Sequence, residues 1–132
     1  MRVLIVEDDF VSRKILHSFL SAYGECDIAV DGKEALEAFK LALNDDAPYD
    51  LICMDIMMPR MNGQEALLKI RQLEADLGVK DNDAVKVIMT TAVDDKKNVT
   101  EAFYKGGAAS YFVKPINKEK LIGELKILGL ID

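Results

Sequence analysis

The sequence predicts a doubly wound α/β domain, a five-stranded parallel sheet with five helices, and three observations carry that expectation. Five short apolar runs recur along the chain, several without strand-like alternation, as in strands buried on both faces. Between them lie stretches whose apolar residues keep helical spacing. Charged, polar or turn-forming residues follow the carboxyl end of each run. Alternation at this pitch implies right-handed crossovers and helices on both faces of the sheet. In open sheets of that kind the working site lies at the carboxyl ends of the strands, where the winding reverses.

The first strand is Val3-Leu4-Ile5-Val6, which runs into Glu7-Asp8-Asp9. From Phe10 to Tyr23, Val11, Ile15, Leu16, Phe19 and Leu20 form the apolar face of a helix, with Gly24 as its stop. Residues 26–30 read as a second strand. Asp31 then caps a helix that turns Ala35, Leu36, Phe39 and Leu43 inward. The third strand, Leu51-Ile52-Cys53-Met54, delivers Asp55, and Pro59 and Gly63 turn the chain into a helix carrying Ala66, Leu67, Ile70, Leu73 and Leu77. After a polar loop over 78–84 comes a fourth strand, 85–89, ending in Thr90 and Thr91. A helix with a small apolar face follows over 94–105. Residues 109–113 form the fifth strand and lead into Lys114-Pro115, and Asn117 caps a last helix through Leu121, Leu125 and Leu128.

At 132 residues this is one domain. The net charge of −6, with lysines and arginines scattered rather than bunched, argues against a nucleic-acid surface. No apolar run approaches the roughly 18 residues of a membrane span, and Met1-Arg2 leads straight into a strand without a signal peptide, which predicts a cytoplasmic protein. Cys26 and Cys53 lie in apolar segments and read as reduced core residues. The single histidine, His17, reads as a surface residue of the first helix.

The strand ends carry the chemistry. Glu7, Asp8 and Asp9 follow the first, Asp55 the third, Thr90 and Thr91 the fourth, and Lys114 the fifth. Alone, Asp55 reads as a turn cap, but this company changes its meaning. Carboxylates brought together repel unless a cation sits among them. An all-oxygen cluster with no His or Cys placed to help suits magnesium better than zinc. A metal, a lysine and a hydroxyl on one sheet edge describe a phosphoryl-handling site. Asp55 is then the natural nucleophile, since a carboxylate can form an acyl phosphate.

Val6-Glu7-Asp8-Asp9, the stretch from Met54-Asp55 through Met58-Pro59 to Asn62-Gly63, Thr91-Ala92 and Tyr111-Phe112-Val113-Lys114-Pro115 together resemble, in order and spacing, the signatures of two-component response-regulator receiver domains of the single-domain, chemotaxis-regulator type. The resemblance covers essentially the whole chain. It implies a flavodoxin-like sheet of order 2-1-3-4-5 and a phosphorylation-activated switch that catalyses only its own phosphoryl transfer and slow self-dephosphorylation. Asp55 would accept a phosphoryl group from a phosphohistidine on a sensor histidine kinase or a histidine phosphotransfer protein. Asp8 and Asp55 would ligate Mg2+ directly, Glu7 through a water, and Met57 through its backbone carbonyl. Asp9 would be a neighbour or helix cap, or else the displaced ligand. Lys114 would pair with the phosphoryl oxygens, across a cis bond to Pro115. Thr91 would move to bind the phosphoryl group, with Ala92 leaving space. Tyr111 would then swing inward and remodel the surface of the fourth helix, fifth strand and fifth helix for a downstream protein target; the bland alternative is an aromatic packed in place.

Met57 and Val93, each two residues past a reactive position, are apolar and should flank the route of attacking water, which predicts a slowly lost phosphoryl group. Phe10 and Val11 beside the acidic cluster are candidates for a kinase-docking patch. Two rival functions fare worse. An aspartate-nucleophile phosphatase needs a second acid two residues on, where this chain has Met57. A flavin-binding module needs Gly, Ser or Thr donors after the first strand, where this chain has Glu7-Asp8-Asp9. The chain ends at Asp132, just past the last expected helix, which predicts no output domain and signalling by protein contact or onward phosphate transfer.

Overall fold

A computed structural model describes residues 1–91, 100 and 106–132. Five parallel strands, β1 (Arg2–Val6), β2 (Glu25–Ala29), β3 (Leu51–Asp55), β4 (Lys86–Thr91) and β5 (Ser110–Val113), form one sheet in the order β2-β1-β3-β4-β5. The helices α1 (Phe10–Leu20), α2 (Gly32–Asn44), α3 (Gly63–Asp76) and a C-terminal helix (Lys118–Ile127) cover it. The helix expected over 94–105 lies outside the described residues. No helix among the described residues is long and apolar enough to cross a membrane.

The three central strands, β1, β3 and β4, are buried on both faces, as their unalternating sequences predict, and the edge strands β2 and β5 are partly exposed. In β1, Leu4 and Val6 join a core with Phe39 of α2 and Leu67 and Ile70 of α3. Their neighbours Val3 and Ile5 join the opposite core with Leu16 and Leu20 of α1 and Leu121 and Leu125 of the C-terminal helix. The same division repeats in β3 and β4. Period-two alternation therefore assigns residues to two buried faces rather than to inside and outside. Burying a side chain such as Leu4 or Ile52 stabilises the fold by about 1.5–3 kcal/mol.

The expected caps hold at Asp31 and Asn117, and Asn62, not foreseen as a cap, does the same for α3; each accepts a backbone N–H three residues on. Some element details differ from expectation. α1 stops at Leu20, and Gly24 serves a different purpose, because a Cβ there would stand 2.3 Å from the Met1 carbonyl oxygen. Val11 and Leu77, expected in the core, are mostly exposed. Helical spacing assigned them inward, but Val11 lies in the first turn of α1 and Leu77 caps the end of α3, beyond the reach of the sheet. β2 is the sheet edge, which leaves Ile28 half exposed. The loop before β4 contains a short 3-10 turn, Asp81–Asp83.

Candidate functional site

The parallel register carries the predicted groups to one edge. β1 ends at Val6, so Glu7 begins the turn, and its N–H donates to the Ala29 carbonyl of β2 at 3.0 Å. Asp9 then caps α1, accepting the Ser12 N–H at 2.9 Å. That supports the reading of Asp9 as a cap and turns its carboxylate to the helix. β3 runs one residue further than expected and includes Asp55, opposite Thr90 of β4.

Four of the predicted residues meet. One carboxylate oxygen each from Glu7, Asp8 and Asp55 lies within 4.8 Å of the others. Lys114 Nζ stands 2.7 Å from Glu7 Oε2 and 3.0 Å from Asp55 Oδ2. Glu7 is fully buried, Asp55 is 5% exposed, and Asp8 lies open to solvent. Burial pushes the Glu7 carboxyl up to about 7; the Lys114 ammonium opposes that rise and the charge of Asp55 adds to it. Burial alone would lower Lys114, but its close contacts with the carboxylates of Glu7 and Asp55 hold it above its ordinary value.

Among the described residues the balance of charge is unequal, three carboxylates facing one ammonium. Glu7 Oε2 touches Lys114 only as an ion pair, and among the described residues it accepts no aligned hydrogen bond. A buried carboxylate oxygen left in that condition has capacity for a further cation. The donor set is all oxygen and part of it faces water, which fits a hard divalent ion such as magnesium.

Lys114 is held from behind. Its backbone N–H donates to the Thr91 carbonyl at 2.7 Å, and its bond to Pro115 is cis. Thr91 is buried at the end of β4, opposite Val113. It therefore shares the edge with the acidic cluster and is joined to Lys114 through the backbone. Thr90 Oγ1 beside Asp55 is buried and accepts or donates no hydrogen bond among the described residues. Tyr111 sits back along β5, 39% exposed and opposite Met89, outside the cluster. Ala92 and Val93 lie outside the described residues.

The loop after β3 is built close around the site. Met57 N–H donates to Asp55 Oδ1 at 3.1 Å, and its side chain is 64% exposed. Ile56 N–H donates to the Thr90 carbonyl, and Gly63 N–H to the Ile56 carbonyl, both at 2.9 Å. Sequence reasoning missed two long-range ties. Arg60 Nε pairs with the buried Asp31 at 2.5 Å. Arg71 of α3 pairs with the buried Glu74 at 2.5 Å and donates to the carbonyls of Val85, Gly106 and Gly107. Neither has a local signature, since a surface helix with charges three apart reads as solvated.

Comparison with known proteins gives this edge its context. The family model for the response regulator receiver domain matches residues 3–126. A two-component response regulator, ORR41 of rice, is 34% identical over 121 residues, covering 92% of this chain and 88% of the relative. A hybrid signal transduction histidine kinase I of Dictyostelium discoideum is 36% identical over 121 residues, 91% of this chain but 7% of the kinase. The chain thus spans nearly all of some relatives and a small part of others. Among solved structures, the receiver domain of Ssk1, co-crystallised with the Saccharomyces cerevisiae phosphotransfer protein Ypd1, superposes with a TM-score of 0.84 at 29% identity, covering 98% of this chain and 89% of that one. The receiver domain of the Arabidopsis thaliana histidine kinase CKI1, complexed with Mg2+ and BeF3−, gives 0.81 at 27% identity, covering 98% and 90%. With its sheet order, its acidic edge and a family match over nearly its whole length, the chain belongs to the response regulator receiver domains.

Proposed function

We propose that Asp55 accepts a phosphoryl group from a phosphohistidine, and that the carboxylates of Asp8 and Asp55 with the Met57 backbone carbonyl hold Mg2+, Glu7 reaching it through a water. The observation that carries this reading is the meeting of the Glu7, Asp8 and Asp55 carboxyl groups around Lys114, the one ammonium beside them among the described residues. In the transfer, an Asp55 carboxylate oxygen bonds to phosphorus as the phosphorus–nitrogen bond breaks and the imidazole departs with the electron pair. Magnesium, when bound, would neutralise charge on the phosphoryl oxygens. Lys114, already 3.0 Å from Asp55 Oδ2, is placed to follow those oxygens.

Receiver domains are signalling switches of two-component systems rather than enzymes acting on an outside substrate. In this chain the gain of charge at Asp55 is read by Thr91, whose movement lets Tyr111 turn inward and changes the face built on β5 and the C-terminal helix. The phosphodonor, a sensor kinase or phosphotransfer protein, docks beside the site on α1. Phe10 and Val11 are 63% and 62% exposed there, and Ile15 borders a groove of about 270 Å3 that reaches Lys114, Pro115 and Ile116. The yeast receiver–phosphotransfer complex supports a donor of this kind.

Intact mass after incubation with acetyl phosphate tests the proposal. The expected result is a gain of one phosphoryl group that requires Mg2+ and is absent from Asp55→Asn. No gain under conditions that label a control receiver would refute it. The apolar, exposed Met57 also predicts slow self-dephosphorylation. Met57→Asn should shorten the phosphoryl lifetime by helping water approach, and an unchanged or longer lifetime would sink that idea; Val93→Glu is expected to act in the same direction.

A further inference from the structure

We infer that Arg60 is a positioning residue for magnesium: its ion pair with Asp31 moors the loop that presents the Met57 carbonyl. The inference deepens the magnesium reading above and rests on it.

The loop of residues 56–62 leaves the acidic edge and must return to start α3 at Gly63. Among the described contacts it is anchored near the site by the Ile56 and Met57 N–H groups. Its far half is fixed against the start of α2. Arg60 Nε stands 2.5 Å from Asp31 Oδ2, and Arg60 also approaches Glu34 Oε2 at 3.8 Å. The adjacent Met61 carbonyl accepts the Gly32 N–H at 2.8 Å. Only glycine permits that approach, because a Cβ on Gly32 would lie 2.4 Å from the Met61 oxygen.

The anchor is fixed at its Asp31 end, while the Arg60 side chain that reaches it is 55% exposed. Asp31 is 3% exposed, and its other oxygen caps α2 by accepting the Glu34 N–H. Arg60 meanwhile adopts a φ of 63°, left-handed backbone that a residue with a Cβ holds only where surrounding contacts fix it. Arg60 is three residues from Met57, so losing its ion pair loosens the segment between the Met57 N–H and the Met61 carbonyl, on which a backbone ligand depends. Groups that orient a ligand in this way act on metal affinity without touching the ion.

The direction of the effect separates positioning from charge. Removing a cation near an acidic site would, through space alone, tighten Mg2+ binding. Loss of positioning weakens it. Calorimetric titration with Mg2+ alone should therefore show Arg60→Gln binding roughly tenfold more weakly than the parent. Arg60→Lys, which keeps a cation within reach of Asp31, should recover most of the affinity. The Met57 amide resonance, followed by NMR during the titration, should shift less in Arg60→Gln at saturating Mg2+ than in the parent. Equal or tighter binding by a folded Arg60→Gln would overturn the inference while leaving the magnesium site standing. Absence of Mg2+ binding by the parent, or its persistence in Asp8→Ala with Asp55→Ala, would instead remove the site itself and the inference with it.

Discussion

Asp55→Asn is expected to stabilise the metal-free protein by about 1 kcal/mol while abolishing phosphoryl uptake. Glu7, Asp8 and Asp55 bring oxygens within 4.8 Å of one another and, among the described residues, face one ammonium, that of Lys114. Asparagine keeps the oxygen that accepts the Met57 N–H and fits the same space. It removes one ion pair with Lys114, but Lys114 retains Glu7 at 2.7 Å. It also removes the charge that, after burial, helps to push the Glu7 carboxyl upward. Relief of repulsion between carboxylates is set against the lost attraction, and against an amide NH2 that replaces Oδ2 beside Lys114, and is expected to prevail. Urea unfolding in EDTA reads this directly. Adding Mg2+ should narrow the gap, because an ion that binds only the folded parent stabilises it by mass action. A less stable Asp55→Asn in EDTA would mean that the Lys114 pair dominates and that the cluster is not under charge strain.

The same cluster marks how far the sequence could be read. Strands buried on both faces announce themselves by composition, and in a parallel sheet each strand end must fall on one edge. That is why Glu7, Asp8, Asp55 and Lys114 could be placed together from local patterns. The two-fold division of each strand between cores follows from the same geometry. What stayed hidden depends on contacts between distant segments. Helical spacing placed Val11 in the core because periodicity reports a face, not how far the covering sheet extends. Arg71 looks solvated in sequence, yet it closes on carbonyls more than a dozen residues away, at Val85, Gly106 and Gly107. Arg60 and Asp31 are 29 residues apart, and nothing in either neighbourhood names the other. Gly63 was legible as a turn, but its more demanding role is spatial.

That role predicts the largest loss of stability: Gly63→Ala is expected to cost about 3 kcal/mol or to prevent folding. A Cβ at position 63 would lie 2.1 Å from the Asp55 carbonyl oxygen and 3.1 Å from the Ile56 Cα. Both neighbours are backbone, so no side-chain rotation relieves the clash. Gly63 N–H also donates to the Ile56 carbonyl, which closes the loop onto the end of β3. Moving α3 outward to admit the methyl would strain the fit of Ala66, Leu67 and Ile70, all fully buried against the sheet. Moving β3 instead would displace Asp55 from Lys114. Either adjustment couples stability to the site. Helix propensity alone would favour alanine over glycine by about 1 kcal/mol at a helical position, so the sign of the change decides between the two effects. Denaturant unfolding should show a clear loss, and any folded Gly63→Ala should take up phosphate from acetyl phosphate more slowly than the parent. A variant as stable as the parent would mean that the loop can yield without cost, and that the close approach of α3 to Asp55 does not set the geometry of the acceptor.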